Sequence, residues 1–225
     1  MNFTKIIVVL HFVATTYSCG NAIDRTEFQK EGYNVSRFVP SMNNKYLNFV
    51  EGAVNDYAKY LDIYSITNGF DSIQYRLWIQ DYDVCQGSFY AEKLLIIKKY
   101  KTEPWKAILI KFGVGDMKND TSKIVCKDIK NIKPQNWDYF LDSLNKLNVN
   151  KWVGKTLIPK NKYQGGQAEN SMVLEIATTT QYRLITHNAP INVICEEQEC
   201  KEVRSFLNLI SKEFNLPAFK KYIGR

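Results

Sequence analysis

Histidine is nearly absent from this chain: among 225 residues only His11 and His187 carry an imidazole. No H-E-x-x-H pair can be built from them. No G-x-S-x-G elbow and no phosphate-cradling P-loop occurs either, so zinc peptidases, elbow-type serine hydrolases and P-loop nucleotide hydrolases are excluded. The five cysteines contain no compact C-x-x-C pair, which argues against a structural zinc site. No metal and no cofactor is expected. The longest early apolar run, IIVVLHFVA, falls well short of the roughly 20 residues that a permanent membrane helix needs.

Charge is present but scattered. The net formal charge is +7, and 24% of residues are charged against 45% hydrophobic, an ordinary globular composition. The lysines fall in separate pairs, such as Lys98 and Lys99, Lys160 and Lys162, and Lys220 and Lys221, instead of one stripe. That distribution suits solvated faces, with contact to an anionic ligand as a lesser use. Nucleic acid is not an expected partner.

The N-terminus reads as a targeting segment. One basic residue, Lys5, precedes the apolar run, and the small and polar stretch TTYSCGNA comes after it. Two processing sites compete. Small residues at Gly20 and Ala22 would release a chain beginning at Ile23. Alternatively, Cys19 behind Ser18 is the lipidation site. The junction YSCGN resembles the SCGN ending of the signal in many Bacteroidetes envelope lipoproteins, a resemblance covering residues 1–21 only. It implies that Cys19 is acylated and becomes the mature N-terminus. The organisation expected is a signal peptide over 1–18, a tether or arm over 19–40, and one domain over 41–225. Localisation is then the cell envelope, lipid-anchored at a membrane, with a soluble secreted or periplasmic form as the alternative.

With Cys19 assigned to lipid, Cys85, Cys126, Cys195 and Cys200 remain. Export permits disulfides, and four cysteines allow three connectivities. Cys195 and Cys200 are near enough in sequence to close a small loop before the last helix, whereas Cys85 and Cys126, each beside a β-like run, read as buried free thiols.

Along the chain, Tyr46, Val50, Ala53, Tyr57, Leu61 and Tyr64 recur at helical spacing. SIQYRLWIQ alternates as a half-buried strand, and FYAEKLLIIKKY and WKAILIKFG add two more, separated by a turn at Lys101–Pro104. After a short apolar run, IVC, a second helix carries Trp137, Phe140, Leu141, Leu144 and Leu147. SMVLEIATT and QYRLITH pair around Thr179 and Thr180. A last helix begins near Glu197 and presents Val203, Phe206, Leu207, Ile210 and Phe214. The fold expected is α+β: a single, mainly antiparallel sheet of about five to six strands with about three helices on one face.

The tetrapeptide QYRL occurs twice, at Gln74–Leu77 and Gln181–Leu184. The residues after the two copies differ, so the pair reads as shared strand vocabulary and not as a duplication. Alternation sets Tyr75, Leu77, Tyr182 and Leu184 toward the helices. Arg76 and Arg183 would share the open face with Trp78, where two guanidiniums beside an indole suit an anionic group. Catalytic candidates are His187 at a strand end and the pair Asp81 and Asp83. The leading expectation is an exported, non-enzymatic envelope lipoprotein with a binding or interaction domain. It would meet a membrane through its lipid, and another protein or an anionic envelope ligand through its surface. The alternatives are an immunity-type protein that neutralises a toxin, and a hydrolase using His187 or Asp81 and Asp83.

Overall fold

Four consecutive apolar residues, Leu94 to Ile97, are all buried. Side chains alternate across a strand, so such a run requires apolar cover on both faces of the sheet. The computed structural model, which describes residues 35–38, 44–80, 90–114, 124–152, 171–188 and 198–216, has that arrangement. Its strands are β1 (Ser36–Phe38), β2 (Ile73–Gln80), β3 (Tyr90–Lys99), β4 (Lys106–Val114), β5 (Ile124–Ile132), β6 (Ser171–Thr178) and β7 (Gln181–Asn188). They form one seven-stranded sheet in the order β1-β7-β6-β2-β3-β4-β5. All neighbours run antiparallel except β1, which lies parallel to β7.

The helices are α1 (Asn44–Tyr60), α2 (Trp137–Lys146) and α3 (Gln198–Glu213). On one face Val50, Val54 and Ala58 of α1 pack against Trp78, Leu94, Ile96, Phe112, Tyr182 and Leu184. On the other, Phe140 and Leu144 of α2 and Val203, Phe206 and Ile210 of α3 pack against Tyr75, Leu77, Leu95, Ile97 and Ile185. The α+β class holds, but the sheet is mixed, has seven strands, and is covered on both faces by helices. The expectation of helices on one face is therefore corrected.

Local chemistry explains the element ends. α1 stops where Asp62 takes a left-handed φ of 60°. There the Ile63 amide donates to the Ala58 carbonyl and the Asp62 amide to that of Lys59, a Schellman closure. Asn215 ends α3 in the same way, at φ 50°, with Leu216 donating to Ser211. The Asn136 side chain caps α2 by accepting from the Tyr139 amide at 3.0 Å. Between β6 and β7, the Thr178 hydroxyl accepts from the Thr180 and Gln181 amides.

Three further expectations change. Ser36–Phe38 pairs with Gln181–Arg183, so part of the stretch read as a tether belongs to the sheet. β5 runs nine residues, well beyond the IVC run, because an edge strand exposes polar residues such as Lys127, Asp128, Lys130 and Asn131. Cys126 is disulfide-bonded and is not a free thiol; its partner is not among the described side chains. Cys19, Cys85, Asp81, Asp83 and Cys195 lie outside the described residues. Cys200 is in the first turn of α3, and its side chain also lies outside the description. Among the described residues, no helix is long and apolar enough to cross a membrane.

The two QYRL copies point in opposite senses. Arg76 sits opposite Glu175, and Glu175 sits opposite Leu184, so Arg76 shares a face with Leu184 and not with Arg183. Tyr75 and Leu77 pack against the α2/α3 layer, while Tyr182 and Leu184 pack against α1. A displacement of one residue inverts every side chain. Leu77→Ala and Leu184→Ala are each expected to lower unfolding free energy by about 2–5 kcal/mol in urea titrations, although the two leucines serve different helices.

Candidate functional site

Both arginines of the repeated tetrapeptide are buried, Arg76 at 1% and Arg183 at 8% relative exposure. On the α1 face, β2 and β6 bring Arg76 and Glu175 into register at the middle of the sheet. The Trp78 indole donates to Glu175 Oε2 at 2.6 Å, and the Tyr182 hydroxyl donates to Oε1 at 3.0 Å. Arg76 Nη2 donates to the Tyr64 carbonyl at 2.6 Å, and its guanidinium lies 5.3 Å from the Tyr64 ring centre. At the outer margin of this face Arg37 pairs with Glu51 and stands 5.7 Å over the Tyr182 ring.

Burial pushes the Glu175 carboxyl above its ordinary range. The Arg76 charge and the Trp78 and Tyr182 hydrogen bonds oppose that shift, while Glu51 adds to it. Tyr182 is held well above the usual phenol value, first by burial and then by the charge of Glu175. Tyr75, on the opposite face, is pushed up to about 12 by burial alone. Each Glu175 oxygen already accepts from a protein donor, while the buried Arg76 Nε has no hydrogen-bond partner among the described residues. The open-face anion site expected of Arg76, Arg183 and Trp78 is not formed, since Trp78 is engaged by Glu175 and Arg183 points the other way.

On the α2/α3 face, Arg183 Nη2 donates to the Trp152 carbonyl at 2.7 Å, and its guanidinium lies 4.0 Å from the Phe38 ring centre. Burial lowers the Arg183 pKa, partly offset by Glu199. His187, two residues beyond Ile185 on the same face, is 1% exposed. It is therefore a core residue, although it stands near the end of β7. Its ring meets Trp152 edge-on at 6.0 Å, and Nε2 lies 3.2 Å from Glu199 Oε1. Neither ring nitrogen makes a hydrogen bond of good geometry, so the contact with Glu199 is one of proximity. Trp152 Nε1 donates to Glu202 at 2.9 Å. These contacts join β7 to the start of α3. Among the described residues, no group of three His, Cys, Asp or Glu side chains is placed to hold a metal ion.

Among the described residues, a surface feature with room for a ligand lies outside the core. The Gln135 amide donates to the Glu213 carbonyl, and the Asn136 amide to the Glu213 carboxylate, joining the start of α2 to the end of α3. At the opposite end Trp152, just past α2, reaches Glu202, so the two helices run antiparallel. Between them lies a groove of about 370 Å³. Tyr139, Ser143 and Lys146 form one wall at helical spacing, Ser205, Asn208 and Lys212 form the other, and Leu147 and Leu209 contribute apolar surface. Tyr139 remains 50% exposed, with Lys212 Nζ 5.6 Å from its ring centre. Lys146 pairs with Asp142 at 2.6 Å, and that hydrogen bond raises the lysine pKa.

Reading the sequence missed this groove. Its walls come from the polar shoulders of two helices some 60 residues apart, and their adjacency has no local sequence signal. Compared with protein-family profiles, curated proteins and solved structures, the chain matches none.

The Glu175 network has a testable pH signature. Because folding raises this carboxyl above its ordinary value of 4.5, its contribution to stability is fully present below that pH. It is lost as pH rises toward the folded value. Urea titrations from pH 4 to 7 should show wild type losing stability relative to Glu175→Gln as pH rises. Parallel profiles would contradict the assignment. Arg76→Met removes the hydrogen bond to the Tyr64 carbonyl and a charge that opposes the Glu175 shift, and is expected to lower unfolding free energy by about 1–3 kcal/mol in urea titrations.

Proposed function

We propose that this chain is an exported, lipid-anchored interaction domain that presents the α2/α3 face to a partner in the cell envelope. The observation that carries the binding role is the groove between α2 and α3. It joins a half-exposed tyrosine, apolar surface from Leu147 and Leu209, hydrogen-bonding groups and two lysines in one concavity. The charged chemistry of the sheet, by contrast, is spent inside the fold. Glu175 accepts from Trp78 and Tyr182, and Arg183 donates to Trp152.

The exported setting is supported by the disulfide at Cys126, because such bonds persist in oxidising compartments and are rare in a reducing cytosol. Lipid attachment at Cys19 rests on the YSCGN junction behind the apolar run of residues 6–14. In this reading the signal is residues 1–18, and the segment between Cys19 and β1 spaces the domain from the bilayer.

Intact-mass measurement on fractionated native membranes tests the anchoring. The expected species begins at an acylated Cys19 and moves to the soluble fraction on Cys19→Ser substitution. A soluble mature chain beginning at Ile23 would contradict it.

A further inference from the structure

The two lysines of the groove stand at opposite ends of it. Lys212 is at the Tyr139 end, as its approach to that ring shows. Lys146 lies two helical turns along α2, a displacement of about 10 Å. Between the charges are Leu209 of the core and Ser143 and Asn208 on the facing walls, while Leu147, packed against the core, adjoins Lys146. Antiparallel helices with an apolar seam offer ridges and a groove into which a third helix packs.

We propose that the α2/α3 groove docks an acidic amphipathic helix of another protein, carrying carboxylates two turns apart with apolar side chains between them. This identification of the occupant rests on reading the α2/α3 face as the recognition surface. Charge sets an acidic helix apart from two other occupants, a second copy and the C-terminal segment. A second copy would set Lys146 and Lys212 against the same lysines, and the chain as a whole carries +7. The chain's own C-terminal segment, residues 217–225, adds Lys220, Lys221 and Arg225 and no acidic residue, so it is repelled for the same reason. An acidic helix meets both lysines. Lys146 keeps donors for an incoming carboxylate while it pairs with Asp142, because an ammonium has three.

The probe is a helix-stapled peptide of about 15 residues with Glu at i and i+7 and Leu at i+3 and i+4. A companion peptide has Lys in place of both Glu residues. Amide shifts of the isotope-labelled full-length domain report where each binds. The expected result is saturable shifts confined to α2 and α3 with the Glu peptide and none with the Lys peptide. The double variant Lys146→Glu/Lys212→Glu should weaken the Glu peptide by at least about ten-fold and gain the Lys peptide. Its circular dichroism should match that of wild type, and Lys146→Ala/Lys212→Ala serves as a milder variant if charge reversal impairs folding. Equal binding of both peptides, or shifts centred elsewhere, overturns the proposal. If anionic phospholipid vesicles perturb the groove amides and the Glu peptide does not, the recognition surface stands and the helix occupant is wrong. If neither probe perturbs these amides, both readings fail.

Discussion

Placing a carboxylate at the centre of a sheet covered on both sides imposes the constraint around which this fold is arranged. Glu175 lies on β6 between β2 and β7, out of reach of solvent. An ionised carboxylate there needs donors and a positive charge nearby, because burial in a low-dielectric interior otherwise costs several kcal/mol. The donors come from neighbouring strands, Trp78 on β2 and Tyr182 on β7, and the charge comes from Arg76 directly opposite. The adjacent strands β7, β6 and β2 are thereby held in one register. A slip of one residue would strand the carboxylate and turn Leu77, Leu174 and Ile185 to the wrong side.

That register also fixes the rest of the internal chemistry. With Tyr182 committed to the α1 face, Arg183 and His187 must project toward α3. There Arg183 finds the Trp152 carbonyl, and His187 comes within 3.2 Å of Glu199. Among the described residues, Arg76 and Glu175 on one side and Arg183 and His187 on the other are thus distributed to two separate interiors and do not converge on one site. The proposed recognition falls to the outer surface of the helix layer, where Tyr139, Lys146 and Lys212 are not enclosed.

Most elements were legible in the sequence because their periodicity is strong. The stripe Val203, Phe206, Ile210 and Phe214 locates α3, and Lys101–Pro104 locates the β3–β4 turn. The layering was legible too, in Leu94 to Ile97 and Ala107 to Ile110, whose unbroken apolar character signals burial on both faces. Giving weight to alternation in Ile73–Gln80 alone led to a one-sided sheet, since Gln74 and Arg76 look solvent-facing until their partners are known. β1 is three residues long and pairs non-locally, so no window of sequence encodes it. The relative phase of the QYRL copies was hidden for a similar reason: each copy alternates correctly by itself, and only the pairing with Glu175 relates them. The α2/α3 groove depends on the antiparallel docking of two helices and was equally invisible.

The central claim is that the two QYRL strands are one residue out of phase, so that identical residues face opposite layers. Nuclear Overhauser contacts from the two tyrosine rings measure this directly. The Tyr75 ring is expected to contact Trp105, with which it stacks at 6.5 Å, and to show no contact with α1. The Tyr182 ring is expected to contact the α1 side of the core, together with Arg37. Contacts from both rings to the same helix layer would contradict the account.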